Sequence, residues 1–100
     1  MKVVVDPGVW KDANDAIDYY AVVEPSLTGS FIDEVWAALA FIESYPQAGR
    51  VLISQYRRVA LRHFPYLVCY LISDGTVQVL AVIHNRRGPR WVRMHLDSRV

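Results

Sequence analysis

Halfway along the chain, the spacing of the apolar residues changes from the period of a helix to the period of a strand. Over the first half, apolar side chains recur every three or four positions, as they do on one face of an α-helix. Over the second half they alternate with polar residues or run without interruption between turn-forming residues, which is typical of strands. Helices followed by strands, rather than alternating with them, predict an α+β fold.

Two helices are predicted in the first half, and they form a hairpin. Asp6 suits the N-cap of the first helix and Pro7 its first turn. That helix ends at Glu24, because a residue before proline avoids the helical region. The second helix begins between residues 26 and 30, where Ser30 with Asp33 predicts a capping box. The side chains of the first helix that are expected to face solvent are Lys11, Asp12, Asp15 and Asp18.

Three strands of the second half are predicted to form an antiparallel meander. Asp74-Gly75 is a hairpin signal, because this pair tolerates the positive φ angles of a tight turn. The pattern of Trp91–Leu96 fits either a last strand or a helical turn. Residues 1–100 therefore predict a single domain with the helices packed on one face of the sheet. The predicted strands are Lys2–Asp6 at the N-terminus and then Tyr56–Phe64, Tyr66–Ile72 and Val77–His84.

The two central strands are apolar on both faces, although the helical hairpin can cover only one. An antiparallel sheet with one solvated face should alternate between apolar and polar residues. Here 53% of all residues are hydrophobic, and Tyr66–Ile72 contains almost no polar side chain. The second face therefore needs a cover, which is either the C-terminal segment around Trp91 or a second chain. A partner chain that contributes part of this cover is the favoured interpretation.

Charge is divided unevenly between the two halves of the chain. Residues 1–50 contain three basic and eight acidic side chains, whereas residues 51–100 contain eight arginines and two acids. The planar guanidinium of arginine can donate two parallel hydrogen bonds to a carboxylate or a phosphate. The distribution predicts an anionic partner, which is nucleic acid, an acidic peptide or an acidic protein surface. The alternative is an arginine-rich edge that is simply solvated.

Other features of the sequence exclude several classes of protein. The single cysteine, Cys69, cannot form an internal disulfide, and it lies in an apolar strand where it is expected to be a core residue. The N-terminus does not resemble a signal peptide, and no apolar run approaches the ~20 residues needed to cross a bilayer. No spacing of Cys, His and Asp suggests a metal site, and no cofactor motif is present. These features predict a cytoplasmic protein.

Several blocks along the whole chain resemble the RelE/ParE superfamily of toxins from bacterial type II toxin–antitoxin systems, and the ParE-like branch most of all. The resemblance implies a helical hairpin on a curved antiparallel sheet. It also implies a growth-arresting toxin that a cognate antitoxin neutralises by wrapping an extended, often acidic, C-terminal segment around it. The blocks are Ala16–Tyr20, Gly29–Val35, Ile42–Pro46, Arg57–Leu61, His63–Tyr70 and Val79–Pro89.

The superfamily contains two mechanisms, and the resemblance to its nuclease branch is incomplete. RelE-like members cleave messenger RNA on the ribosome, whereas ParE-like members inhibit DNA gyrase without hydrolysing a bond. The nucleases carry an arginine before the Leu-Val pair of the central strand, where this chain has Tyr66. The nucleases also use a tyrosine near the C-terminus as an acid. The corresponding position in this chain lies near Trp91, and the indole of a tryptophan has no proton acidic enough for this role. The favoured interpretation is therefore a non-hydrolytic gyrase inhibitor.

Two alternatives stay open, together with the residues that each would use. The first is a metal-independent, ribosome-dependent endoribonuclease, with Arg58, Arg62, His84 and Arg86 as its catalytic groups; a structural role for His84, capping a strand end and bonding a carbonyl, is preferred. The second is a non-toxic member that acts only as an antitoxin partner and operon co-repressor. The residues predicted to bind the target or the antitoxin are Arg57, Arg58, Arg62, Arg86, Arg87, Arg90, Trp91 and Arg93.

Overall fold

A five-stranded mixed sheet lies at the centre of the structure, a computed structural model that describes all 100 residues. Its elements, in chain order, are β1 (Lys2–Val5), α1 (Pro7–Val23), a 3₁₀ turn (Pro25–Leu27), α2 (Thr28–Ser44), β2 (Arg50–Ile53), β3 (Tyr56–Ala60), β4 (Tyr66–Ser73), β5 (Thr76–His84) and α3 (Pro89–Asp97). The strand order is β1-β5-β4-β3-β2, with β1 parallel to β5 and the other pairs antiparallel. No helix has both the length and the apolar character that crossing a membrane requires.

The predicted α+β class, the helical hairpin and the meander of β3, β4 and β5 are confirmed. Strand β2 was not predicted, because four residues are too few to show a period and its pairing with β3 shifts register between Val51 and Ile53. The predicted strand over Tyr56–Phe64 ends at Ala60. The open choice at the C-terminus is resolved in favour of a helix, which begins at Pro89 and buries two side chains four positions apart, Val92 and Leu96.

The predicted starts of α1 at Asp6 and of α2 between residues 26 and 30 are confirmed, but the predicted capping box at Ser30 is wrong. Asp6 caps α1 by accepting a 2.8 Å hydrogen bond from the backbone N–H of Gly8. Helix α2 begins at Thr28, and Ser30 lies inside its first turn and forms no capping box with Asp33. The reason is that the chain enters α2 from the 3₁₀ turn, so that Leu27 already has helical backbone angles (φ −87°, ψ −13°). A side-chain N-cap requires an extended residue instead.

The hairpin of α1 and α2 covers one face of the sheet, as predicted. Each Val, Leu, Ile or Phe that it buries stabilises the fold by roughly 1.5–3 kcal/mol. The side chains that meet there include Val9, Ala13, Phe31, Val35, Leu39 and Ile42 from the helices, and Val68, Tyr70, Val77 and Val79 from the sheet.

Helix α3 covers the other face, so the expectation of a partner chain over this part of the sheet is wrong. Val92 and Leu96 pack into a second buried cluster that includes Cys69, Leu71 and Leu80. Both faces of β4 and β5 are thus covered within one chain, which explains why these strands are apolar throughout. Burial raises the pKa of the Cys69 thiol to about 12, so this cysteine is an inert core residue, as predicted.

A bulge in β5 places two successive residues on the α3 side of the sheet. Val79 pairs with Tyr70 on the hairpin side, whereas Ala81 pairs with Cys69 on the α3 side, and Leu80 is the extra residue between them. The bulge leaves backbone groups without partners in the ladder, and other side chains must satisfy them.

Asp12 and Arg99 bind the backbone at this bulge. The Asp12 carboxylate accepts hydrogen bonds from the Val82 N–H (2.9 Å) and from both terminal nitrogens of Arg99 (2.6 and 2.8 Å), while Arg99 also donates to the Leu80 carbonyl (2.8 Å). The expectation that Asp12 faces solvent is therefore wrong: its side chain is 12% exposed. This ion pair ties α1, β5 and the C-terminus together. We call it the Asp12–Arg99 clamp.

Candidate functional site

Three of the arginines of the second half have partners within the chain. Arg57 lies on the hairpin side of β3, and its Nη1 donates to the backbone carbonyls of Gln47 (3.1 Å) and Gly49 (2.9 Å). Arg93 lies 3.9 Å from Asp97 in an exposed pair, which contributes little. Arg99 belongs to the clamp. The guanidinium of Arg57, a predicted binding residue, is thus largely used to hold β3 against the turn before β2.

The other five arginines form no ion pair, and four of them follow the ends of the neighbouring strands β3 and β5. These four lie at the end of the sheet where β3 and β5 finish and α3 begins. A 2.9 Å backbone hydrogen bond from Asn85 to Pro65 holds the loop after β3 against the loop after β5. All four side chains are exposed. We call them the sheet-end arginines: Arg62, Arg86, Arg87 and Arg90.

Trp91 lies beside the sheet-end arginines and is engaged by its own neighbours. Its ring stacks on His95 with a centroid separation of 4.5 Å, and the Arg87 guanidinium lies 4.1 Å from its centroid. Burial, with help from the nearby Arg99, lowers the pKa of His95, so the imidazole that Trp91 stacks on is neutral at pH 7. The side chain thus packs along α3 rather than over the sheet.

Of the four residues considered for nuclease chemistry, Arg62, His84 and Arg86 lie at the same end of the sheet, but Arg58 does not join them. Arg58 pairs with Cys69 in β4, so its side chain lies on the α3 side of the sheet. His84 pairs with Tyr66, and their rings lie 5.1 Å apart on the hairpin side. The Nδ1 atom of His84 accepts a 3.1 Å hydrogen bond from the Arg86 N–H, so it caps the strand end as predicted but bonds an N–H and not a carbonyl.

An apolar groove between α2 and β3, which the sequence did not indicate, lies beside one of the sheet-end arginines. It has a volume of about 280 Å³, and Arg62 lies at its rim. The pairing of β2 with β3 stops at Arg58, so the outer edge of β3 is free at Ala60. The available signal was the pair Ala37 and Phe41, four positions apart beside the core stripe of α2. Other residues that line the groove are Glu34, Ala38, Val59 and Leu61.

Glu34 fixes the loop that carries Arg62. Its carboxylate accepts hydrogen bonds from the backbone N–H groups of Arg62 (2.6 Å) and His63 (2.9 Å), and it lies 2.8 Å from the His63 Nδ1 atom. Burial by itself would raise the pKa of Glu34, but these bonds outweigh it and hold the pKa below its ordinary value. Glu34 is therefore ionised at neutral pH and positions the loop between the groove and the sheet end.

Comparisons with known proteins agree on one family. Residues 3–89 match the family model described as the ParE toxin of the type II toxin–antitoxin system, parDE. The proteins named Toxin ParE2 from two strains of Mycobacterium tuberculosis, CDC 1551 / Oshkosh and H37Rv, are 33% identical over 99 residues, which cover 95% of this chain and 91% of theirs. A solved structure titled "Chromosomal ParDE TA system from P. aeruginosa" superposes with a TM-score of 0.73 at 16% identity, and the match covers 84% of this chain and 95% of that one.

Proposed function

This chain belongs to the ParE toxin family of type II toxin–antitoxin systems, and we propose that it arrests growth by binding DNA gyrase in the cytoplasm until a cognate antitoxin neutralises it. The observation that carries the proposal is the combination of this family membership with a surface built for binding. Seven of the nine guanidinium groups form no ion pair with a carboxylate. One of them, Arg62, lies at the rim of an apolar groove. Such a surface fits a protein that acts by association.

The division of the candidate nuclease groups supports a binder over an enzyme. General acid–base cleavage of RNA needs a base, an acid and a phosphate clamp within hydrogen-bond reach of one scissile bond. The sheet itself separates Arg58 from His84, because their side chains lie on opposite faces. In addition, the Nδ1 atom of His84 is engaged by a backbone N–H.

The groove between α2 and β3 is the surface that we propose for the antitoxin. An extended or helical segment can bury apolar side chains against Ala37 and Phe41, and the free edge at Ala60 offers backbone groups for pairing. Acidic residues that flank such a segment would meet Arg62 at the rim. The groove is therefore the proposed docking surface, and the second face of the sheet is not, because α3 already covers that face.

Supercoiling assays test the proposed target. Purified toxin added to gyrase and relaxed plasmid should inhibit supercoiling or trap cleaved DNA, and addition of antitoxin should restore supercoiling. Toeprinting of translated messages is the matched comparison, since ribosome-dependent cleavage predicts new ends in the ribosomal A site. Full supercoiling in the presence of excess toxin, together with growth arrest on expression, would exclude gyrase as the target and keep the toxin assignment.

Substitution in the groove tests the proposed antitoxin surface. Phe41→Ser should weaken antitoxin binding by about tenfold or more, because it removes a 42%-exposed ring from the groove floor without opening the core. Trp36→Ser is the matched control: its ring is 57% exposed on the same helix but lies outside the groove. Isothermal titration with the cognate antitoxin provides the measurement. Equal losses from both variants would place the antitoxin elsewhere on the hairpin.

A further inference from the structure

The sheet-end arginines create an unbalanced concentration of positive charge. Arg62, Arg86 and Arg87 lie in two adjacent loops and Arg90 in the first turn of α3, and no carboxylate forms an ion pair with any of them. Like charges on neighbouring segments repel one another, and this repulsion costs folding free energy unless an anion offsets it. Eight of the ten acids lie in the first half, mostly on the two hairpin helices; of these, Asp12 and Asp15 line the same cavity as Arg87 but form no ion pair with it. The arrangement therefore favours an anionic partner at this end of the molecule.

The orientation of α3 adds to this positive field. The helix begins at Pro89, and its first turn contains Arg90 but no acidic residue. The N-terminal end of a helix carries a partial positive charge, so cations there are unfavourable and an anion is favourable. Gly88, in the N-cap position, has no side chain with which to bond the free N–H groups. Arg86, Arg87 and Arg90 thus lie within a few residues of a helix N-terminus, and their charges add to its partial positive charge.

A polyanion with closely repeated charges fits this region. Four neighbouring guanidinium groups require several anionic groups at short intervals, which a peptide carries only in an unusually acidic run. Duplex DNA carries one phosphate charge per ~1.7 Å of its axis. Because most of the acids lie on the hairpin, the molecule is also dipolar, and a polyanion would orient it with the sheet end inward.

The aromatic neighbour favours a duplex over a single strand. Proteins that bind single strands stack bases on open aromatic rings. Trp91 is the aromatic side chain beside the cluster, and its ring is already stacked on His95 and approached by Arg87. Trp91 therefore offers no unengaged ring for a base, whereas exposed guanidinium groups are available to phosphates.

We propose that the sheet-end arginines bind the phosphodiester backbone of duplex DNA. The inference deepens the proposed function, because gyrase holds duplex DNA and a toxin seated on the enzyme could contact that DNA as well. It does not depend on gyrase for its test. Binding of DNA by the isolated toxin is measured without the enzyme, so this proposal and the gyrase assignment can fail separately.

Fluorescence anisotropy with a short labelled DNA duplex is the test. Binding should be independent of sequence and should weaken steeply between about 50 and 200 mM salt, because binding to phosphates releases counterions. The double variant Arg86→Ala/Arg87→Ala should lower the affinity about tenfold or more. It should also reduce the salt slope by about two, because each arginine that is removed leaves one phosphate with its counterion. Its circular dichroism should be unchanged, since both side chains are exposed.

Arg50→Ala is the matched control, because Arg50 is also exposed but lies on β2 at the other edge of the sheet. Its affinity should stay within about twofold of the parent chain. The proposal would be overturned by the absence of duplex binding at low salt. Equal losses from the control and the double variant, or tighter binding of single-stranded RNA or of a polyglutamate peptide than of the duplex, would also overturn it.

Discussion

Replacing Asp12 with alanine should be among the most damaging single substitutions of a polar residue in this protein. The carboxylate accepts three hydrogen bonds, two from Arg99 and one from the Val82 N–H at the bulge. Both partners of the ion pair are shielded, with side chains 12% and 14% exposed. The substitution leaves a shielded guanidinium without its counter-charge and a strand N–H without its acceptor.

The expected loss follows from these hydrogen bonds and from the shielding of the pair. Removing one member of a buried ion pair costs about 3–5 kcal/mol. Arg99 lies beyond the end of α3 and its side chain is 14% exposed, so a value at the lower end of this range, about 3 kcal/mol, is expected. This is a large part of the ~5–15 kcal/mol that stabilises a typical domain. Asp12→Asn retains an oxygen for the Val82 N–H and should cost less, about 1–2 kcal/mol, because it loses the charge but keeps that hydrogen bond.

Two measurements check this expectation. Urea unfolding of Asp12→Ala, Arg99→Ala and the double variant gives a coupling free energy, which should exceed about 1 kcal/mol for residues in direct contact. The second measurement is the reaction of Cys69 with a thiol reagent. This cysteine is fully buried beneath α3, and its reaction should accelerate when the clamp is broken.

The reasoning would be refuted by additive effects that are each below about 0.5 kcal/mol, with no change in the rate of the thiol reaction. Such a result would mean that water replaces the hydrogen bonds of the clamp without any loss of folding free energy. Global unfolding and local opening of α3 are separated by the denaturant dependence of the Cys69 reaction, since only global opening depends steeply on urea.

Three further predictions concern other parts of the fold. Gly49→Ala should destabilise the fold by about 1–3 kcal/mol in urea unfolding, because a Cβ there would collide with the Tyr70 hydroxyl. Gly29→Ala is the control, because a Cβ at Gly29 in α2 meets open space. It should be neutral or stabilising by up to about 1 kcal/mol. The pKa of His95 in the folded state lies below its ordinary 6.5, so the stability that it contributes is present above pH 6.5 and is lost as the pH falls through the lowered value. His95→Gln should therefore flatten the dependence of stability on pH in that range. An unchanged pH profile would contradict this expectation. The pKa of Glu34 is also lowered, so Glu34→Gln should reduce stability by about 1–2 kcal/mol at pH 7. The difference should shrink below pH 4.5, the ordinary pKa, as acid protonates the Glu34 carboxylate of the unsubstituted protein. A difference that does not change with pH would count against the hydrogen bonds of Glu34.

The elements that are long and periodic could be predicted from the sequence. The helical hairpin, the Asp6 cap and the Asp74-Gly75 turn follow from local rules, because each depends on a few neighbouring residues. The resemblance to the ParE-like branch was confirmed by the family match over residues 3–89. Strand β2 could not be predicted, because its four residues are too few to show a period and it exists through its pairing with β3.

The site was less predictable, because the role of a charged side chain depends on what lies next to it. The sequence grouped Arg57, Arg58 and Arg62 together, but strand alternation and the end of β3 send them to three different surroundings. One donates to backbone carbonyls, one lies on the α3 side and one lies at the rim of the groove. Likewise Asp12 shares the spacing of the solvated acids of α1, and only the bulge in β5 gives it partners.

By itself, the sequence determined the order of helices and strands, the apolar character of both sheet faces and the uneven division of charge, because these depend on composition and local periodicity. Only the tertiary structure decided which segment covers the second face, and it assigned that place to α3 in the same chain. It also separated Arg57 and Arg99, which are held by internal acceptors, from the sheet-end arginines. Burial and pairing arise between residues that are distant along the chain, and no local pattern records them.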